Sequence, residues 1–266
     1  MTSNARFPIR WFYMRPPDER RAWIFTSAWL VSMMALPISL WVLGEASFPT
    51  GITLAALVQA GVVFAILVQQ WGWLQAVRAF VLTAILSWAA EWLGSNTGLP
   101  FGVYHYTKLL QPQIFGVPLL IPIAWFMLLP PSWVMAQQIL GAHLRGWQRQ
   151  IAFAALSAAA LTAWDLYLDP QMVARGFWVW AQPNGYFGIP WSNYAGWFVT
   201  AFVITLIIRP APLKPLPLGF IYAAVWFFQG VGQAIFWGQP GPALVGLVVM
   251  GTVWVLALYQ TWRRKA

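Results

Sequence analysis

The chain contains no cysteine, only two histidines and only 6 acidic residues among its 266. Without cysteine there can be no disulfide, no thiolate nucleophile and no cysteine-ligated cluster. Two histidines are too few for the imidazole-rich di-iron centre of a membrane oxygenase. Aspartate-rich magnesium clusters that hold diphosphates need more acids than Asp165 and Asp169 provide. A Gly-x-Gly-x-x-Gly fingerprint is missing, because Gly230-Val231-Gly232 puts Ile235 at the third position inside an apolar stretch. No glycine loop suited to cradling phosphate is visible. The net charge is +9, yet no basic run interleaved with aromatics occurs outside the termini and short loops, which argues against nucleic acid. The inventory leaves proton and water chemistry on an apolar substrate, without metal or cofactor.

Charge is scarce overall. With 8% charged and 60% hydrophobic residues, the chain cannot coat a water-soluble globule with polar surface. It reads as an all-α integral membrane protein and a single membrane domain. A spanning helix needs about 20 mostly apolar residues, and eight candidates lie near 22–43, 52–70, 73–93, 119–140, 151–168, 194–209, 217–236 and 242–262. They are flanked by a basic tail over 1–21, which lacks a cleavable signal pattern, and a short basic tail over 263–266. Basic residues fix the expected orientation. If the N-terminus lies inside, the inner segments hold 13 of the 15 Lys and Arg, and the outer loops hold only Lys108 and Arg175. This bias predicts both termini in the cytoplasm of a cell that carries the protein in its inner membrane.

That topology puts the two long loops, roughly 94–118 and 170–193, on the outer side. Three of the six acids lie where the third and fifth spans enter these loops: Glu91 in SWAAEWLG, and Asp165 and Asp169 in TAWDLYLDP. A carboxyl at membrane depth is costly unless protonated, paired or hydrated, so each is a candidate site residue. Asp165 and Asp169 stand one helical turn apart on one face and can hold one shared proton, a general acid beside a general base. Pro170 is expected to end the helix at Asp169. Asp169 also fits plain turn chemistry before proline, and Glu91 fits an acid solvated at the interface. His105, between Tyr104 and Tyr106, is a candidate proton carrier or a local hydrogen-bonding group. His143 falls on the inner side and is not expected to join it. Asn193 is a candidate polar contact or an N-cap of the sixth span.

The chain has 20 Trp. These large rings favour sites where an apolar body meets a wetter edge, either an interface belt or an apolar ligand cavity. Trp164, Trp178, Trp180, Trp191 and Trp197 fall near the acids. An internal echo pairs the two loops: Phe115-Gly116-Val117-Pro118 with Trp125 ten residues on, and Phe187-Gly188-Ile189-Pro190 with Trp197 ten residues on. Each copy follows an acidic helix end and an aromatic pair, Tyr104/Tyr106 or Trp178/Trp180; chance likeness among common loop residues accounts for so short a match equally well.

Acid-catalysed hydration fits these residues. A protonated carboxyl gives its proton to an alkene, a tertiary cation forms beside aromatic faces worth about 0.5 to 2 kcal/mol per ring, and a second group directs water onto it. A proton-coupled transporter, a non-catalytic polyene binder and an acid-initiated cyclase use similar residues and stay open.

The ordered segments GLPFGVYHY (98–106), FGVPLLIPIAW (115–125), TAWDLYLDPQMV (162–173), GFWVW (176–180) and GYFGIPWSNYAGWF (185–198) resemble the integral-membrane carotenoid hydratases, among them γ-carotene hydroxylating and bisanhydrobacterioruberin hydratases. The resemblance spans roughly 85–200. It implies cofactor-free addition of water to the terminal double bond of an acyclic ψ end group, on a polyene such as γ-carotene or lycopene drawn from membrane lipid, with other carotenoid-pathway enzymes as candidate partners. The roles within that reaction are read from the residues and not from the resemblance: Asp165 as the general acid, Asp169 or Glu91 orienting the water, and His105 as a further proton carrier. Trp164, Tyr104, Tyr106, Trp178, Trp180, Asn193 and Trp197 line a cavity between the third, fifth and sixth spans in the outer half of the bilayer.

Overall fold

Each apolar run becomes one helix, because a chain surrounded by hydrocarbon must satisfy its backbone polar groups internally. A computed structural model describes residues 17–140 and 144–264. The arginines at positions 6, 10 and 15, His143 and the last two residues lie outside the described residues. The helices are α1 (Pro17–Leu43), α2 (Phe48–Trp71), α3 (Trp73–Thr97), α4 (Leu120–Ile139), α5 (Gly146–Ala174), α6 (Trp191–Ile208), α7 (Leu218–Val231, continued by a π turn over Gly232–Phe236) and α8 (Pro240–Arg263). All eight segments are long and apolar enough to cross a membrane. Large apolar side chains such as Trp41, Leu74, Leu244 and Trp262 point outward, which is tolerable where the surroundings are themselves apolar.

Helix association inside lipid relies on close packing rather than on exclusion of water. The centre of the bundle shows this. α5 packs against α4 and α6, and its buried face carries Ala154, Ser157, Ala158 and Ala160, small residues that let backbones approach. α8 reaches α5 at Gly246, where an added Cβ would lie 2.4 Å from the Tyr167 ring.

The protein departs from an all-α reading in its two long loops, which form small β ribbons. Strand β1 (Tyr104–Tyr106) pairs antiparallel with β4 (Trp178–Trp180), setting Tyr104 opposite Trp180 and Tyr106 opposite Trp178. Strands β2 (Gln113–Ile114) and β3 (Val117–Pro118) form a hairpin closed by Phe115 and Gly116 at φ 49 and 82. The second loop repeats the turn: Tyr186 bridges Ile189 around Phe187 and Gly188 at φ 50 and 88. Two successive positive-φ residues make a type I′ turn, whose twist suits tight hairpins. The sequence echo is thus a repeated structural unit, and the tryptophans ten residues beyond each turn, Trp125 and Trp197, stack with ring centroids 4.1 Å apart.

Pro170 does not end α5, contrary to expectation; the helix runs four residues further. Proline lacks the N–H that would bond the carbonyl four residues back, and here the Tyr186 hydroxyl donates to that carbonyl, Leu166 O, at 3.2 Å. Gln233 Nε2 donates to Tyr167 O at 2.6 Å and Gln239 Nε2 to Pro170 O at 2.9 Å. Pro131 in α4 is handled in the same way, with the buried Gln59 donating to Met127 O at 3.3 Å. Tyr186→Phe strands Leu166 O and is expected to cost about 1 to 3 kcal/mol, read as a lower unfolding temperature in detergent. An unchanged temperature would show that Tyr186 does not support the proline turn.

Candidate active site

Four helix ends and the β1–β4 ribbon meet at one end of the bundle, and the buried carboxyls converge there. Glu91, near the C-terminal end of α3, is buried rather than solvated at an interface. It accepts hydrogen bonds from Tyr104 Oη at 2.5 Å and Tyr106 Oη at 2.7 Å, both on Oε2, and from Trp125 Nε1 at 3.0 Å on Oε1. Alternation along a strand puts residues two apart on the same face, so Tyr104 and Tyr106 both reach Glu91. The ribbon is held in place by Phe101, whose ring is wedged between α3 and α6. Added Cβ atoms at Gly94 and Gly196 would lie 2.4 and 2.6 Å from that ring. Burial, and then the Glu91 carboxylate, push both tyrosine hydroxyls well above their ordinary range, so they remain protonated donors at any working pH.

On α5, Asp165 and Asp169 are both buried, and one side chain on α6 joins them. Asn193, in the first turn of α6, donates its amide to Oδ2 of each, at 3.0 Å to Asp165. Its side chain is therefore committed to the acids and makes no N-cap bond. Trp178 Nε1 donates to Asp169 Oδ1 at 3.1 Å. Asp165 Oδ1 is buried without a hydrogen-bond partner among the described residues. The ribbon thus serves both acid groups: β1 supplies donors to Glu91 and β4 supplies one to Asp169.

Between the acids is a cavity of about 20 Å³ lined by Glu91, Tyr104, Tyr106, Asp169, Asn193 and Trp197, among others. That is room for one water, which needs roughly 10 to 15 Å³. Leu168, Ile121, Ala124 and Trp178 border both this cavity and an apolar one of about 80 Å³ among α1, α2, α4, α5 and α7. The expected cavity between α3, α5 and α6 is therefore the small polar one, and the apolar space lies on the other side of that wall. Trp164 lines the apolar cavity and meets Trp197 edge to face at 6.0 Å. Trp180 donates to Phe101 O at 3.2 Å and closes the polar cavity.

Of the residues singled out from the sequence, Glu91, Asp169, Asn193, Tyr104, Tyr106, Trp178, Trp180 and Trp197 share the polar cavity. Asp165 sits behind Asp169. His105 does not join them: strand alternation turns it to the exposed face of β1, opposite its two tyrosine neighbours. The sequence reading missed Trp125 as a partner of Glu91, although the echo that pairs it with Trp197 was the available signal, and it gave no role to Tyr186. Among the described residues no group of three or more His, Asp or Glu is arranged to hold a metal.

The chain is similar to bisanhydrobacterioruberin hydratase of Haloarcula japonica, with 33% identity over 134 residues, which is 50% of this chain and 44% of the relative. The match therefore spans less than half of that relative's length. No solved structure matches. Residues 51–214, a stretch that holds every acid, tyrosine and tryptophan of the site, match the family described as carotenoid biosynthesis protein. The chain belongs to that carotenoid biosynthesis family.

Proposed function

We propose that the protein is a carotenoid hydratase that adds water, without a cofactor, to the terminal double bond of an acyclic ψ end group, as in γ-carotene or lycopene. The observation that carries this reading is a cavity the size of one water, walled by buried carboxyls on one side and by an apolar cavity on the other. The hydrocarbon end enters the apolar cavity past Trp164 and Trp178. Two buried carboxyl groups bridged by the Asn193 amide hold one proton between them, and Asp169, the member that lines the cavity, delivers that proton to the alkene, which leaves the pair without it until the cycle closes. This moves the delivering group one turn from the Asp165 expected from sequence. The tertiary cation forms beside Trp178 and Trp197. Water in the polar cavity attacks the cation and loses a proton to Glu91, which returns it across the cavity to the aspartate pair, so the protein ends unchanged and the product is a tertiary alcohol. Tyr104, Tyr106 and Trp125 hold Glu91 in place as an anion facing the cation.

The same reading places the site in the outer half of a cell membrane, with both termini in the cytoplasm, on the strength of the charge bias. The similarity to a hydratase supports the reaction class, and the family supports a carotenoid substrate. The test is expression in a host that accumulates lycopene or γ-carotene, followed by liquid chromatography and mass spectrometry of the pigments. The expected product is heavier by one water per acyclic end. A product of unchanged mass but altered retention would replace hydration with cyclisation, and unchanged pigment beside verified membrane insertion would remove both.

A further inference from the structure

A third cavity, larger than the two beside the acids, is remote from them. It is a groove of about 950 Å³ at the opposite end of the bundle, formed where α1, α2, α4, α7 and α8 meet the segment 212–217. Its lining is mostly apolar, with Met135, Phe220, Ala223 and the exposed Leu258, and it includes Gln138 and Lys214. The segment 212–217 is pinned: Gln137 bonds both the N–H and the carbonyl of Leu213, and Gln70 Oε1 accepts from Lys214 N at 2.7 Å. No carboxylate pairs with Lys214 among the described residues.

Two helices present one face to both this groove and the apolar cavity beside the acids. On α4, Ala124 and Met127 line that cavity and Met135 and Gln138 line the groove. On α2, Gln59 and Ile66 do the same from positions seven apart, hence on one face. From Ile121, beside the acids, to Gln138, at the groove, α4 rises roughly 25 Å at about 1.5 Å per residue, close to the ~30 Å thickness of a bilayer's hydrocarbon core.

We infer that the substrate lies lengthwise along α2 and α4, with its reacting end at Glu91 and Asp169 and its far end in the groove at the basic end of the bundle. This rests on the hydratase reading and adds to it the seat of the far end: a polyene about as long as the membrane is thick brings that end to amide and ammonium groups, which accept a hydroxyl or keto oxygen there. A short isoprenoid reaches the acids but not the groove.

The test compares a full-length acyclic polyene with one cut to half its length that keeps the same acyclic end. Ala223→Trp and, at an exposed position, Leu258→Trp fill the groove. Each is expected to lower kcat/KM for the long polyene by about tenfold, equivalent to about 1.4 kcal/mol of lost binding, and to leave the short one unchanged, which also shows that the variant is folded. Equal loss on both substrates, or loss on neither, would overturn the lengthwise placement while leaving the hydratase standing. A wild-type protein that hydrates neither would bring down the hydratase and this inference together.

Discussion

Asp165→Asn is expected to lower hydration by about 10²- to 10⁴-fold, the usual worth of a positioned general acid or base, with the protein folded and inserted. The substitution is structurally mild. Its amide oxygen can still accept from Asn193, its NH2 can face Asp169, and the oxygen it replaces has no partner to lose. What it removes is the proton that two carboxyl groups share. Asp169→Asn is expected to lose activity at least as severely and to lose stability as well. Both Asp169 oxygens accept bonds, from Trp178 and from Asn193, and an NH2 must now oppose one of those donors at a cost of about 1 to 3 kcal/mol. If the two acids act as one unit, the double variant should be no worse than the weaker single variant, because residues that act together are strongly non-additive. Pigment analysis in the carotenoid-accumulating host reads activity, and unfolding in detergent reads stability. Near-normal activity in Asp165→Asn would remove the shared proton from the mechanism; additive losses would make the acids independent.

Glu91→Gln is expected to cost about 10²- to 10³-fold in activity, the size of effect seen when one electrostatic contact to a developing charge is removed. Indole N–H can only donate, so the new amide must turn its oxygen to Trp125 and its NH2 toward Tyr104 and Tyr106. Phenol hydroxyls both donate and accept, so the tyrosines can reverse their bonds and the packing survives. The variant therefore separates charge from scaffold. Glu91→Ala, by contrast, strands all three donors and should lower the unfolding temperature sharply. If Glu91→Gln hydrates at the normal rate while Glu91→Ala unfolds, Glu91 is a pillar of the loop ribbon and neither faces the cation nor receives the proton.

The eight helices were legible because a span is a local property. About twenty apolar residues in a row suffice to predict one, and hydrocarbon leaves the backbone no other way to satisfy itself. The acids were legible for a similar reason, since a carboxyl stands out in an apolar run. Their gathering at one end of the bundle followed from counting spans. Their partners were not legible in this way. The donors to Glu91 lie 13, 15 and 34 residues away along the chain, and the amide that bridges Asp165 and Asp169 comes from another helix. Such pairings depend on how loops cross between helices, which no periodicity encodes. The same holds for Pro170. Local preference ends the helix there, but a tyrosine hydroxyl 16 positions along, on the far side of the ribbon, accounts for the freed carbonyl, as the Tyr186–Leu166 bond shows. His105 illustrates the reverse case: it sits between two site tyrosines in sequence, and the pleat of a three-residue strand sends it to the opposite face. Sequence thus determined which groups must be hidden from lipid and at which end of the bundle. The crossing of the two loops decided which of those groups meet, because hydrogen bonds in a dry site are specified by geometry in space and not by distance along the chain.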